Sequence, residues 1–489
     1  MGLCRRLMRR SVWLCAIYLS LPIASIYALD PSRRISQYGH TVWRVRDGLV
    51  GASSPITQTT DGYIWIGTAN GLARFDGVNF VPWKPPQDIP FDWRHFTALL
   101  GASEGSLWIG TSRSLGRLKG GHFRSYSKPG DTWGISSIIE DHAGKIWVTR
   151  YRLPHGEGAI CEALEERLHC YGSADGVSVP YGLGLAEDTQ GNFWIGSQYL
   201  CRWKPGSICA DYLRNGPNDA EINAIAVASS GPSPIVWAGV IGFGRKGGVQ
   251  RFSAGKWSPY PIAGPDGVAV ESEAMLFDHD GSLWLGTEKE GLYRIRNDMV
   301  EHFGPADGLS GHQVAAIYED HEKNLWVTTD GGMDMFRNSP VTSYSFKEGL
   351  SSSYPSTILA SRDGSIWIGN HDGIEVLRDG RKQNLPDWRG GNETHSLYED
   401  HNGTIWFSSS NELVYWDRRQ IHVLKLPNGA STEIVTGITE DAQLKLWVLS
   451  STALFRLDQR QVEQRIELPK RLCTLGSSGS GSSKRHLDF

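Results

Sequence analysis

Between its first ten residues and a short Lys484-Arg485-His486 near its end, this chain has no basic run longer than a pair, and after Ile26 it has no apolar stretch long enough to span a membrane. The first absence removes the charged stripe that nucleic acid requires, so no nucleic-acid partner is expected. The second leaves membrane contact to the N-terminal segment alone, and only if that segment stays uncleaved. Cysteine is scarce, seven in 489 residues, and no C-x-x-C occurs, so neither a metal nor any other cofactor is expected. There is no H-E-x-x-H, no nucleophile elbow, and no kinase or cyclase motif. Helical apolar spacing is missing over any useful length. What remains, 40% apolar residues and a net charge of -4, describes a soluble globular protein longer than one ordinary domain.

The N-terminus stands apart. Arg5, Arg6, Arg9 and Arg10 precede the apolar run Val12 to Ile26, and Ala28 is a small residue suited to a cut. Residues 1–28 are expected to be a signal peptide, or an uncleaved anchor, since the apolar run has the length at which the two overlap. The paired arginines resemble a twin-arginine signal, but a basic leader explains them. Either way the rest of the chain is expected in the periplasm or otherwise outside the cytoplasmic membrane. Cys161 with Cys170, and Cys201 with Cys209, are spaced to sit across hairpins and could close two local disulfides; the alternative is buried thiols. Cys473 is left over in a Gly/Ser-rich tail, 469–489, that is expected to be disordered.

What is present is a repeat. Trp65, Trp108, Trp147, Trp194, Trp237, Trp284, Trp326, Trp367, Trp406 and Trp447 recur at intervals of 39 to 47 residues, each in a strand that follows a tight-turn signal. In the clearest copy, Asp61-Gly62, Asn70-Gly71 and Asp76-Gly77 punctuate four strand-length runs, which predicts a four-stranded antiparallel meander. Trp65 and Gly67 point to one face and Ile64 and Ile66 to the other, so both faces must be buried. A period near 42 with two apolar faces predicts an all-β fold of β-propeller blades, with small Gly where blades converge.

Asp47-Gly48-Leu49, Asp175-Gly176-Val177, Asp266-Gly267-Val268, Asp307-Gly308-Leu309 and Glu348-Gly349-Leu350 lie between units, and Glu140-Asp141, Glu187-Asp188, Glu319-Asp320 and Glu399-Asp400 begin stretches before the tryptophan strand. Over about residues 35–465 this pattern closely resembles the two-component regulator propeller family, the extracytoplasmic sensor region of hybrid histidine kinases and some diguanylate cyclases. The resemblance implies two seven-bladed propellers, a tyrosine-rich immunoglobulin-like domain, one membrane span and a cytoplasmic output, of which only the sensor part is expected here. It also implies signalling through a change of geometry in a homodimer of the full-length receptor, although no residue marks a dimer surface. The run from Tyr38 to Val45 matches a fourth strand without a blade. Closure of seven four-stranded blades by that strand over 35–340 is expected, with three further blades of an incomplete second propeller over 341–468; one ten-bladed ring is the alternative.

Acidic stretches such as Asp278-His279-Asp280-Gly281 resemble the opening of a calcium loop, but the later ligands of an EF-hand are missing, and turn chemistry accounts for them. A residue that repeats in every blade is scaffold, so function is sought where blades differ. Departures cluster on connections leading into a blade and on those after the tryptophan strand, which face one end of the ring. They include Phe91-Asp92-Trp93-Arg94-His95, then Thr149-Arg150-Tyr151-Arg152 opening an insert to Cys170, and the excursion Gly239 to Gly248 with Phe243, Arg245 and Lys246. The candidate ligand-binding residues are Trp93, Arg94, His95, Arg150, Tyr151, Arg152, Phe243 and Arg245, since aromatic and arginine side chains suit sugar faces and oxyanions. A small-molecule or oligosaccharide ligand is the expected partner, and no catalysis is expected. The alternatives are a protein-interaction scaffold, or an enzyme similar to the streptogramin lyases, which use a histidine and a metal at the mouth; His95, His155, His312 and His395 are the histidines available for that.

Overall fold

The computed structural model describes residues 29–469 apart from 50, 52, 87, 88, 90, 129, 154–156, 214–220, 229–233, 243–246, 263, 265–268, 352, 353, 379, 384, 386–392, 410, 411 and 428–433. The expected signal segment 1–28, most of the tail, Cys473, His155, Asp266-Gly267-Val268, Phe243 and Arg245 lie outside the described residues. The described residues form ten four-stranded antiparallel sheets with their connections, and they divide into two compact units that part between Thr342 and Ser343.

Blade 1 shows how the sequence builds each sheet. Its strands Ser53–Gln58, Ile64–Thr68, Gly71–Phe75 and Phe80–Pro82 run outwards from the axis in chain order. The innermost strand opposes the tryptophan strand with Ile56 across from Ile66 and Thr57 across from Trp65. Gly62 takes φ 87° in the first turn, a conformation that costs glycine nothing. All five residues of Ile64–Thr68 are buried, as two apolar faces require.

The tryptophan face meets the next blade: Trp65 packs with Phe96, Leu99, Leu107 and Ile109 of blade 2. A Cβ on Gly67 would sit 2.5 Å from Phe96 Cβ, and one on Gly286 would sit 2.5 Å from a Val314 methyl in the following blade. In blades 1 and 6 the glycine two residues after the tryptophan is therefore demanded by the approach of the neighbouring innermost strand.

The first unit closes at seven blades. Innermost strands meet in sequence from blade 1 (53–82) to blade 7 (314–337), and blade 7 meets blade 1 again. Trp326 of blade 7 packs with Ile56, Ile64 and Ile66 of blade 1, so the seam is as apolar as the other interfaces. The fourth strand of blade 7 is Gly39–Trp43, paired antiparallel with Met333–Arg337. It covers what would otherwise be an open sheet edge. His40 Nε2 lies 2.8 Å from the buried Asp334 carboxylate across that pair, and its ring stacks on Phe336. A ten-bladed ring is thereby excluded.

The second unit holds blades 8 (355–383), 9 (397–424) and 10 (435–467), with 8 against 9 and 9 against 10. Both local disulfides form, Cys161 with Cys170 in blade 3 and Cys201 with Cys209 in blade 4.

The repeated acidic residues are scaffold. The indole N–H of Trp194, Trp284, Trp326 and Trp406 donates to the carboxylate six residues earlier, at 2.7 to 3.0 Å, and the other oxygen of that carboxylate caps the turn. Trp65 uses Thr59 instead. Blade 2 has Ala102 at this position, and the Trp108 indole nitrogen is buried without a hydrogen-bond partner. The preceding glutamate reaches back to the first turn of the previous blade: Glu140 accepts from Ser103 N–H, Glu187 from His142, Glu399 from Arg362 and Glu440 from His401. Gln58 of blade 1 does the same for His321 of blade 7, at 2.7 Å, which clasps the seam of the ring.

Candidate binding cleft at the mouth of the ring

In each blade the first and third turns lie at one end of the sheet. The connection into the blade and the turn after the tryptophan strand lie at the other end, which is the mouth. The innermost strand is irregular beside the mouth in eight blades, among them blade 2 between Phe96 and Ala98 and blade 3 between Ile135 and Ser137. Such bulges re-aim side chains at an edge.

A cleft of about 440 Å³ opens there, lined by Asp92, Arg94, His95, Ser112, Arg113 and Arg152. Three segments supply it. The connection into blade 2 brings Asp92, Arg94 and His95; the turn after the Trp108 strand brings Ser112 and Arg113; the end of the Trp147 strand brings Arg152. These segments are tied together, since Ser112 N–H donates to the His95 carbonyl at 3.0 Å and Arg94 N–H to Asp92 Oδ1 at 3.2 Å. Gly134 lets the third segment approach, because a Cβ there would lie 2.5 Å from the Ser112 carbonyl and 2.6 Å from the Tyr151 ring.

His95 and Arg152 hold φ of 54° and 56°. Side chains other than Gly, Asn and Asp rarely take this left-handed conformation, which costs about 1–3 kcal/mol and is retained where surroundings or function impose it. Arg94, His95, Arg113 and Arg152 are exposed. Arg94 Nε is 4.0 Å from Asp92, a loose contact, and the Arg152 guanidinium lies over the Tyr151 ring at 5.4 Å. Three guanidiniums therefore face one carboxylate, in a chain of net negative charge.

Of the residues expected at a ligand, the structure brings Arg94, His95 and Arg152 together. It withdraws two others. Arg150 is 5% exposed, its Nε and Nη2 donate to the Gly158 carbonyl at 3.3 and 3.0 Å, and Nη2 is 3.2 Å from Glu157. Burial pushes its pKa below the usual arginine value. It staples the blade 3 insert to the mouth and positions its neighbours. Trp93 is half-buried against Trp83, Phe91 and Phe123, with ring centroids 4.4 to 5.1 Å apart, so it packs the loop. Tyr151 is also half-buried; burial raises its pKa, with Arg152 opposing. Phe243 and Arg245 fall outside the described residues.

Arg113 and Ser112 are additions. Their signal was present: blade 1 turns through Thr68-Ala69-Asn70-Gly71, whereas blade 2 has Thr111-Ser112-Arg113-Ser114, with an arginine where a turn residue is expected.

A second cavity, of about 540 Å³, lies in the second unit among Asp363, Gly364, Arg378, Trp416 and Arg418. Its charges are paired, Arg378 with Asp363 at 2.5 Å and Arg418 with Glu399 at 3.3 Å. Ser365 and Arg378 outweigh the effect of burial and bring the Asp363 pKa down to about 2. His395 is in this unit, 3.5 Å from Glu393. Among the described residues no three His, Cys, Asp or Glu side chains converge as metal ligands, and no helix is long and apolar enough to cross a membrane.

Four-stranded blades closed by an N-terminal strand define a β-propeller, and its cleft lies where the repeated pattern is broken. Two segments of the chain, residues 308–331 and 389–411, match the model of the two component regulator propeller. Among solved structures it is similar to the extracellular domain of a hybrid two component system from B. thetaiotaomicron, at 20% identity and a TM-score of 0.63, over 89% of this chain and 61% of that one. The extracellular domain of a second system of that organism matches at 17% identity and a TM-score of 0.49, over 88% and 61%. Virginiamycin B lyase from Staphylococcus aureus matches at 15% identity and a TM-score of 0.46, over 61% and 99%. At these identities the likeness is one of fold, and the chain spans about three fifths of the first two structures. A search of curated proteins found no match.

Proposed function

We propose that this chain is the ligand-sensing, extracytoplasmic propeller region of a two-component-type receptor and that it takes a saccharide at the mouth of its first ring. The observation that carries the reading is the division of labour among the repeats. Tryptophan, aspartate and glutamate serve the same structural role in blade after blade, while connections at the mouth of blades 1 to 3 differ and converge on one cleft. The family and the likeness to extracellular domains of two component systems support a sensor. Two disulfides accord with an oxidising compartment. A ligand would shift signalling by binding one arrangement of the full receptor more tightly than another.

The test is a thermal-shift screen of the exported chain against neutral and acidic oligosaccharides. A saccharide that raises the melting temperature in proportion to its concentration is the expected result. If none does so, the saccharide reading fails.

A further inference from the structure

We propose that the cleft over blades 1 to 3 selects saccharides by negative charge, taking carboxylated or sulfated sugars and refusing their neutral counterparts. The proposal deepens the saccharide reading above and rests on it. Its ground is the inventory of the cleft. Arg94, Arg113 and Arg152 line one cleft of about 440 Å³, within the roughly 300–1,000 Å³ of small-ligand sites. Among the described lining residues the one acid is Asp92, whose carboxylate accepts from the Arg94 backbone N–H. The arginines and aspartate among the described lining residues sum to a formal +2, in a chain whose net charge is -4.

A cationic concavity in an otherwise anionic molecule raises the local concentration of anions. Guanidinium forks also match the planar oxygens of a carboxylate or two oxygens of a sulfate, and a neutral hydroxyl gains less from them. The geometry is held from behind. Arg150 anchors the blade 3 insert, Gly134 admits Tyr151 against the Ser112 carbonyl, and the left-handed backbone at His95 and Arg152 turns both side chains out of the strand direction. In the second unit's cavity Arg378 and Arg418 pair with acids at 2.5 and 3.3 Å, whereas at the mouth Arg94 has a loose 4.0 Å contact with Asp92.

The experiment is titration calorimetry of the whole exported chain at low salt with three probes: tetragalacturonate, its fully methyl-esterified form, and a chondroitin sulfate tetrasaccharide. Binding of at least one charged probe, none of the ester, and a loss of about tenfold in affinity for each of Arg113→Ala and Arg152→Ala is the expected result. Arg113→Lys and Arg152→Lys keep the charge without the fork and should fall between, which guards against loss of folding as the explanation. Tetragalacturonate carries carboxylates alone and the chondroitin sulfate probe carries both groups, so binding of the first assigns the carboxylate, and binding of the second alone shows that sulfate is required. Equal binding of the ester, with the arginine variants unchanged, would overturn charge selection and leave the saccharide reading standing. A charged probe that binds regardless of both arginines would overturn this cleft as its site, and failure of every probe here and in the wider screen would remove both.

Discussion

Ile56 and Ile358 occupy the same place in the blade, each across from the isoleucine that follows its tryptophan, Ile66 and Ile368. One is 5% exposed and the other 64%. The strand sequence does not account for that difference, since both copies carry the same pattern. The first isoleucine meets Trp326 of the blade that precedes blade 1 around the ring, and closure supplies that neighbour. Trp447 and Leu449 make the comparison at the other end of the second unit. Trp447 is only half-buried, and Leu449, 37% exposed, stands where blades 1 and 6 have glycine. A repeat therefore encodes half of each interface, and a ring completes it.

The largest effect should come from separating the units. Residues 29–342 alone are expected to unfold in one cooperative transition by calorimetry, and residues 343–469 alone in a broad one, because three blades share only two interfaces. A sharp transition in the second fragment would break the comparison. Ile56→Ala should cost about 2–5 kcal/mol in denaturant unfolding, and Ile358→Ala less than about 1 kcal/mol. Equal costs would mean that Ile358 is buried in solution. Asp320→Ala should cost about 1–3 kcal/mol, since it strands the Trp326 indole and the turn N–H groups it serves. Ala102→Asp is the reverse experiment and should raise stability by about 1 kcal/mol by giving Trp108 the partner that other blades possess. Loss of stability there would show that blade 2 has packed against the alanine.

The architecture was legible because its signals are repeated. Ten tryptophans in phase fixed the blades, and Tyr38 to Val45 marked the strand that closes the ring. Gln58 was a further signal that the sequence held, standing where later blades carry the clasping glutamate. The cleft was legible only in part. A broken repeat locates a connection, but the direction of a long side chain depends on what it can reach. Arg150 found the Gly158 carbonyl and Glu157 and turned inwards, while Arg152, two residues on, remained outside. Trp93 found three aromatic neighbours. Arg113 escaped notice because it sits in a hairpin turn, where a charged residue is ordinary until the fold sets it opposite two others.

The central claim, that scaffold and ligand-facing parts are separate and that the latter lie over blades 1 to 3, is tested most directly by hydrogen–deuterium exchange of residues 29–489 with and without tetragalacturonate. Slower exchange confined to residues 91–95, 111–114 and 151–153 is the result predicted. Slower exchange in blades 8 to 10, or at the end of the ring opposite the mouth, with those three segments unchanged, would contradict it.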